Sequence, residues 1–322
     1  MNINDVIFTN VNKIIREDRK NLYHLLYYSL IDAILVLSIP LASTFVINSV
    51  LAHASLSVFI LGLIVLVLFL FVTVMQVMKE YIVEKFQQKV FLRSGIEIAT
   101  KALKIEKKEG TEPPQVHNKL MNYFFDITAI QKFFPILLLD GVGVIVKIFV
   151  SLLLLLAFDP VLFIAGVFFF SGYIILLILL GRNGVKQALD RSDAKHNTIY
   201  FLQQIGKEEG TQEEILGKFD AYLAKYAKAR QKLFKITIRQ LALTFFAEGF
   251  IFSVFLVIGG YLVIKGQLPL GEFVAAEIIV TSITYALKGF VKQLDYIYDM
   301  IEGLYKVNKL SVELGEKGHE KS

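Results

Sequence analysis

Ala33–Met78 reads AILVLSIPLASTFVINSVLAHASLSVFILGLIVLVLFLFVTVMQVM, 46 consecutive residues without a charged side chain. A helix crosses a bilayer with about 20 apolar residues, so this stretch holds two crossings joined at His53–Ser55. The rest of the chain has the same character. Of its 322 residues 55 % are hydrophobic, 27 are Phe, and the mean hydropathy is +0.58 although 20 % of the residues are charged. Soluble domains are about 45–50 % apolar. The charges must therefore be segregated from long apolar runs, which excludes a soluble enzyme and a collagen-like or disordered chain. With no cysteine, a disulfide-stapled secreted scaffold, a thiolate metal site and a thiol nucleophile are excluded as well.

Apolar stretches at about 25–50, 56–78, 133–157, 160–181, 240–264 and 272–291 predict six transmembrane helices. A polar segment, 1–24, precedes them, and the membrane domain as a whole runs from 25 to 302, followed by a tail at 303–322. Three joints are only a few residues long, whereas 79–132 and 181–239 are long and charged. Of the 34 Lys and Arg residues, 32 lie in 1–24, in these two excursions and from 288 onward; the exceptions are Lys147 and Lys265. By the positive-inside rule the excursions and both termini are cytoplasmic. Ala52-His53-Ala54 imitates a signal-peptidase site, but the apolar segment before it is too long for a signal peptide. The first helix is read as an uncleaved anchor.

The excursions read as helical hairpins, because structureless loops of that length are uncommon. Val83, Phe86 and Val90 recur at helical steps, as do Phe219, Tyr222 and Tyr226. Glu109–Pro114 supplies the first turn and Gly206–Thr211 the second. The predicted fold class is thus an all-α polytopic membrane protein.

Three stretches carry a resemblance. Asn118–Met121 with Asp126, Ile127, Ile130 and Gln131 is one; Leu139–Gly141, closing with Ala157–Pro160, is another. The most specific is Gly259–Ala276, GGYLVIKGQLPLGEFVAA. Together with the pattern of six helices and two excursions, they resemble the transmembrane domain of type I exporters of the ATP-binding cassette (ABC) superfamily, over about residues 20–312. The turn between the fifth and sixth helices is similar to that of peptide- and protein-secreting half-transporters.

The resemblance implies a membrane-spanning permease subunit that works with an ABC ATPase and with a second transmembrane subunit, identical or related. It also implies coupling helices at the hairpin tips, where an ATPase docks. Those at about 112–120 and 196–205 would contribute Glu112, Pro113, Pro114, Gln115 and His117, and His196, Gln203 and Gln204. A bacterial-type inner (plasma) membrane is the implied location, lipid the surroundings, and a periplasmic adaptor a further partner the family admits. The family's half-transporters continue into a nucleotide-binding domain, which these residues do not contain. The nearest imitation of a phosphate-binding loop, Gly210 to Gly217-Lys218, has six intervening residues instead of four and Phe219 where Ser or Thr must hold magnesium. ATP and Mg are therefore expected on a partner ATPase, with no cofactor bound by this chain. The open alternatives are the transmembrane part of a truncated half-transporter, a non-transporting scaffold or regulatory subunit, and an ion-coupled carrier.

Five histidines, His24, His53, His117, His196 and His319, share no ligand spacing, so no metal site is expected. Basic residues on the excursions read as a solvated face near anionic lipid, not as a nucleic-acid site. Ionisable residues inside the apolar runs are more informative, because charge at mid-bilayer is costly and usually faces a cavity. Asp32, Asp140, Lys147, Glu248 and Glu277 are such residues. On the sixth helix Glu277, Thr281, Thr284, Lys288, Lys292, Asp295 and Asp299 follow at steps of three and four, on one face. This stripe reads as a translocation pathway or as a structural seam between helices, with Asp295 and Asp299 solvated beyond the bilayer. Lys147, Glu248, Glu277, Thr281, Thr284 and Lys288 are the pathway candidates. Counting depth from the outer turns sets Lys147 and Glu277 at about 18 and 15 Å, which predicts that they pair across the bundle, within or between subunits, in one state of the cycle.

Overall fold

A computed structural model describes residues 19–53, 55–108, 136 and 141–313. Among the described residues there is helix and turn but no strand. The helices are α1 (Arg19–Val36), α2 (Ser38–Leu51), α3 (Ser55–Lys108), α4 (Val142–Phe158), α5 (Pro160–Gly181), α6 (Gly184–Gln204), α7 (Gln212–Ile264), α8 (Leu270–Lys292) and α9 (Leu294–Glu313).

Proline placement explains much of this division. The six prolines stand at 40, 113, 114, 135, 160 and 269, and none falls inside α3 or α7. Those helices run uninterrupted for 54 and 53 residues, about 80 Å each. Pro160 occupies the first turn of α5, where the side chain of Asp159 accepts the Val161 N–H at 2.7 Å. A proline there loses no helical hydrogen bond.

Pro40 corrects the first predicted helix. The sequence reading has one helix over 25–50; the chain instead breaks at Leu37 into α1 and α2. Pro40 offers no N–H to the carbonyl four residues back, and its ring crowds that carbonyl. α1 accordingly ends at Val36, and the Leu37 N–H turns back to the Ile34 carbonyl at 3.1 Å.

The α7–α8 joint forms as its residues demand. Gly266 takes φ +69°, its N–H bonds the Val263 carbonyl, and the Gln267 N–H reaches the Leu262 carbonyl at 2.9 Å. These paired bonds close a helix C-terminus around a left-handed residue. At the opposite end of α7, Gly210 has φ +138° and Thr211 forms a capping box with Glu214. The second excursion therefore turns within Gly206–Thr211, after a 3₁₀ turn at Ile205–Lys207. The turn of the first excursion, 109–114, lies outside the described residues, as does most of the first half of the third predicted helix.

α8 is central: it packs on α7, α2 and α4, while α5 packs on α4 and α7, and α6 follows the lower half of α7. Ile279, Val280 and Ile283 of α8 are sealed against Leu155, Phe170, Ile251 and Phe255. Glycine lets two of these surfaces close. A Cβ on Gly271 would come within 2.8 Å of the Thr44 carbonyl oxygen on α2, and one on Gly259 would come within 2.5 Å of the Phe273 ring.

The outer surface is equally informative. α3 exposes Phe59, Leu63, Leu66, Val67 and Leu70, and α5 and α7 expose Ile164, Phe168, Phe246 and Val257. Four helical runs, Val58–Ile96, Pro160–Lys207, Gln212–Ile264 and Leu270–Gly303, are long and apolar enough to cross a membrane. Two further apolar helices, Ser38–Leu51 and Val142–Phe158, are shorter. A helix that is apolar and exposed around most of its circumference is unsuited to water. The four long apolar helices are compatible with an integral membrane protein.

Candidate functional site

A polar seam descends along α7 and α8 from inside the apolar bundle to the hairpin α6–α7. Within the bundle Lys288 on α8 reaches both carboxylate oxygens of Glu248 on α7, at 3.1 and 2.9 Å. Its ammonium also lies 5.4 Å from the centre of the Phe245 ring. Their side chains are 26 % and 34 % exposed, so the pair is partly desolvated and lines an open margin of the bundle. Both are pathway candidates from the sequence, but they were not expected to meet.

One turn further down α7, Thr244 shares a 2.9 Å hydrogen bond with the Tyr173 hydroxyl on α5. Below that, Gln240 donates to the Leu177 carbonyl at 3.2 Å. Gln240, Thr244 and Glu248 sit four residues apart on one face of α7, which points them at a common seam.

The seam continues onto the hairpin. Arg191 of α6 makes a close ion pair with Asp299 of α9 and reaches Glu302 at 3.3 Å, while Lys195 reaches Glu302 at 2.9 Å. Glu302 is buried, and two cations offset the cost of burying its charge. Tyr298 packs directly over Gly184, which leaves no room there for a Cβ. Nearer the tip, Phe201 stacks on Tyr222 at 5.0 Å, and the Thr198 hydroxyl donates to the Tyr222 carbonyl at 3.3 Å.

One expectation is not met in this conformation and one is corrected. Within the single chain Lys147 and Glu277 do not pair: both Glu277 carboxylate oxygens are buried without a hydrogen-bond partner, while Lys147 makes interactions of its own. Asp299 is not a freely solvated residue, since it binds Arg191. The stripe on α8 is also divided in exposure. Thr284 is buried, its hydroxyl turned back to the Val280 and Thr281 carbonyls, whereas Thr281 is exposed.

No protein-family model matches this chain, and no curated protein matches it. The site therefore rests on its own geometry. Of the coupling residues the resemblance implies, His196 is half-buried on α6 with Nδ1 3.0 Å from the Ser192 carbonyl oxygen; Gln203 is exposed and Gln204 half-buried beside the hairpin turn. Glu112, Pro113, Pro114, Gln115 and His117 lie outside the described residues, and so does Asp140. Among the described residues no cluster of His, Asp and Glu could hold a metal ion.

Sequence reasoning missed Arg191, Lys195 and Glu302. Arg191 and Lys195 are four apart on α6, and Asp299 and Glu302 are three apart on α9, a spacing that sets each pair on one helical face. That pairing of opposite charge was the available signal.

Proposed function

We propose that this chain is the membrane-spanning subunit of an ATP-driven exporter of type I ABC architecture. In this reading α1 and α2 form one broken crossing, and α3, α4, α5, α7 and α8 supply the other five. The lower parts of α3, α6 and α7 project into the cytoplasm. A second transmembrane subunit, identical or related, completes the pathway, and ATP is hydrolysed by an ABC ATPase carried on a partner chain or on a continuation of this one.

The single observation that carries this reading is α7. It runs without interruption for 53 residues from a capped hairpin tip at Thr211 into the apolar bundle, a reach of about 80 Å against a hydrocarbon core of roughly 30 Å. The broken crossing α1–α2 is a feature that ion-coupled carriers also have, but a carrier has no need of so long a lever. The contacts along the hairpin, Phe201–Tyr222 at the tip, Arg191 and Lys195 with Glu302, and Tyr173–Thr244 within the bundle, fasten α5–α6 to α7 and α9. Force applied at the tip would then move the lower half of the bundle as a unit, and the seam at Glu248 and Lys288 would open to one side or the other. Cargo of peptide or amphipathic character fits the resemblance to secretion half-transporters.

A photo-crosslinking side chain at Gln203, in membranes of the native host, tests this. The reading expects a crosslink to a protein bearing an ABC ATPase domain, and loss of that crosslink when the probe is moved to the outer turn at Gln267. A Gln203 probe that labels only lipid or unrelated proteins would favour a scaffold without transport activity.

A further inference from the structure

On α7 and α8, Glu248 and Lys288 lie about 25 Å along their helices from the shared turn, and Glu277 lies nearer to it. The first two satisfy each other. Glu277 does not: its Oε1 and Oε2 are both shut off from solvent, and neither accepts a hydrogen bond. It stands seven residues beyond the start of α8, about 10 Å along the helix. Its helix neighbours Ala276, Ile279 and Val280 are all buried.

Among the described residues, the elements packed on α8 offer little to balance a charge there. α2 carries no titratable side chain, and α4 carries only Lys147, which makes no hydrogen bond to Glu277. In the membrane half of α7 the one candidate is Glu248, already engaged by Lys288. On α8 itself Glu272 is an acid one turn toward the outer end, and Lys288 and Lys292 lie three turns or more toward the other. α9 brings Asp295, Asp299 and Glu302 to the cytoplasmic end, with Asp299 and Glu302 bound to α6. Ser151 on α4 is fully buried, and its hydroxyl is likewise without a partner.

We propose that Glu277 is a proton-binding site: its carboxyl holds a proton in this conformation and releases it when α8 parts from its neighbours and water enters. A carboxylate without water, donor or counter-charge is far costlier to bury than the neutral acid. The exchange makes and breaks one O–H bond, and the proton comes from water and returns to it. Opening of the bundle would therefore be accompanied by proton release, whatever energy source drives the opening. The inference stands independently of the proposed ATPase partner.

Dicyclohexylcarbodiimide, an apolar reagent that adds to protonated carboxyl groups, tests this on the full chain in membranes. The expected result is an adduct on the peptide containing Glu277, formed more slowly as pH rises, with Glu248 unmodified. A water-soluble carbodiimide with an added amine should reach Glu277 only when the bundle opens, and so far more slowly than the apolar reagent. Labelling of Glu277 by the apolar reagent that does not slow as pH rises would overturn the proposal.

A second measurement covers the case in which packing keeps both reagents out. An acid that is neutral when folded and ionised when unfolded makes stability fall as pH rises. The thermal midpoint of the wild type should thus decline between mildly acidic and neutral pH more steeply than that of Glu277→Gln, which keeps the shape of the neutral acid. Parallel pH profiles for the two proteins would refute a bound proton.

Discussion

Lys288 on α8 and Glu248 on α7 join the polar faces of these two helices through a forked contact, 3.1 and 2.9 Å to the two carboxylate oxygens. α7 and α8 leave a shared turn in opposite directions. Glu248 lies 16 residues back from Ile264 and Lys288 lies 18 residues on from Leu270, so both are about 25 Å below that turn. With side chains about one-third exposed, the pair lies between a surface ion pair, at about 0–1 kcal/mol, and a buried one, where removing one partner costs about 3–5 kcal/mol. Glu248→Lys or Lys288→Glu alone should each cost about 1–3 kcal/mol. The double exchange should recover most of that loss in a thermal-unfolding cycle in detergent. Strict additivity of the two single changes would mean that the contact contributes nothing.

Glu302 should matter more than Asp299. Its side chain is 3 % exposed and holds both Arg191 and Lys195, whereas that of Asp299 is 42 % exposed and holds Arg191 alone. Glu302→Ala leaves two cations beside a buried gap and should cost about 3 kcal/mol or more, while Asp299→Ala should cost about 1 kcal/mol or less. The order of the two losses, read as faster proteolysis of α9, is the test. Equal sensitivity of the two variants would contradict the assignment of Glu302 as the centre of this contact.

Two glycines separate close packing from helix propensity. Gly271→Ala places a methyl group against the Thr44 carbonyl and the Asn48 side chain, and overpacking of this kind costs about 1–3 kcal/mol. At Gly249, inside α7, a Cβ meets nothing within 4 Å, so Gly249→Ala should be neutral or stabilise by about 0.5–1 kcal/mol. Thermal midpoints that shift in the same direction for both would show that α2 and α8 do not meet at Gly271.

The hairpin tip carries a pH signature. The Glu214 carboxyl is held below the ordinary carboxylate range, first by the Thr211 backbone N–H and then by its hydroxyl. Its capping contribution is thus complete above the usual glutamate range and fades as pH falls through the lowered value. Amide exchange at residues 212–215 should quicken on acidification, and Glu214→Ala should quicken it at neutral pH and remove most of the pH effect. Unchanged exchange in that variant would exclude the cap.

Much of the fold is legible in the residues themselves. Gly266 and Pro269 mark the α7–α8 reversal, Asp159-Pro160 the start of α5, and Gly210-Thr211 the start of α7, because each is a local solution to a local backbone requirement. The break at Leu37 was equally local, yet it hides within an apolar run that hydropathy alone reads as one helix. The polar pairs are harder to read. Lys147 and Glu277 are level by counting, but level residues meet only if their helices turn them toward each other. Glu248 and Lys288 are level too, and the shared turn fixes how their helices face. Arg191 and Glu302 are 111 residues apart, and only the return of α9 alongside α6 brings them together.

In the proposed function the hairpin tip and the α7–α8 turn lie on opposite sides of a membrane. The chain has no cysteine, so single cysteines at the exposed positions Glu209 and Gln267 can be labelled without background. In intact cells treated with an impermeant maleimide, Gln267→Cys should react, and Glu209→Cys should react only after the membrane is permeabilised. Labelling of Glu209→Cys in intact cells, or equal labelling of both positions from one side, would contradict the account.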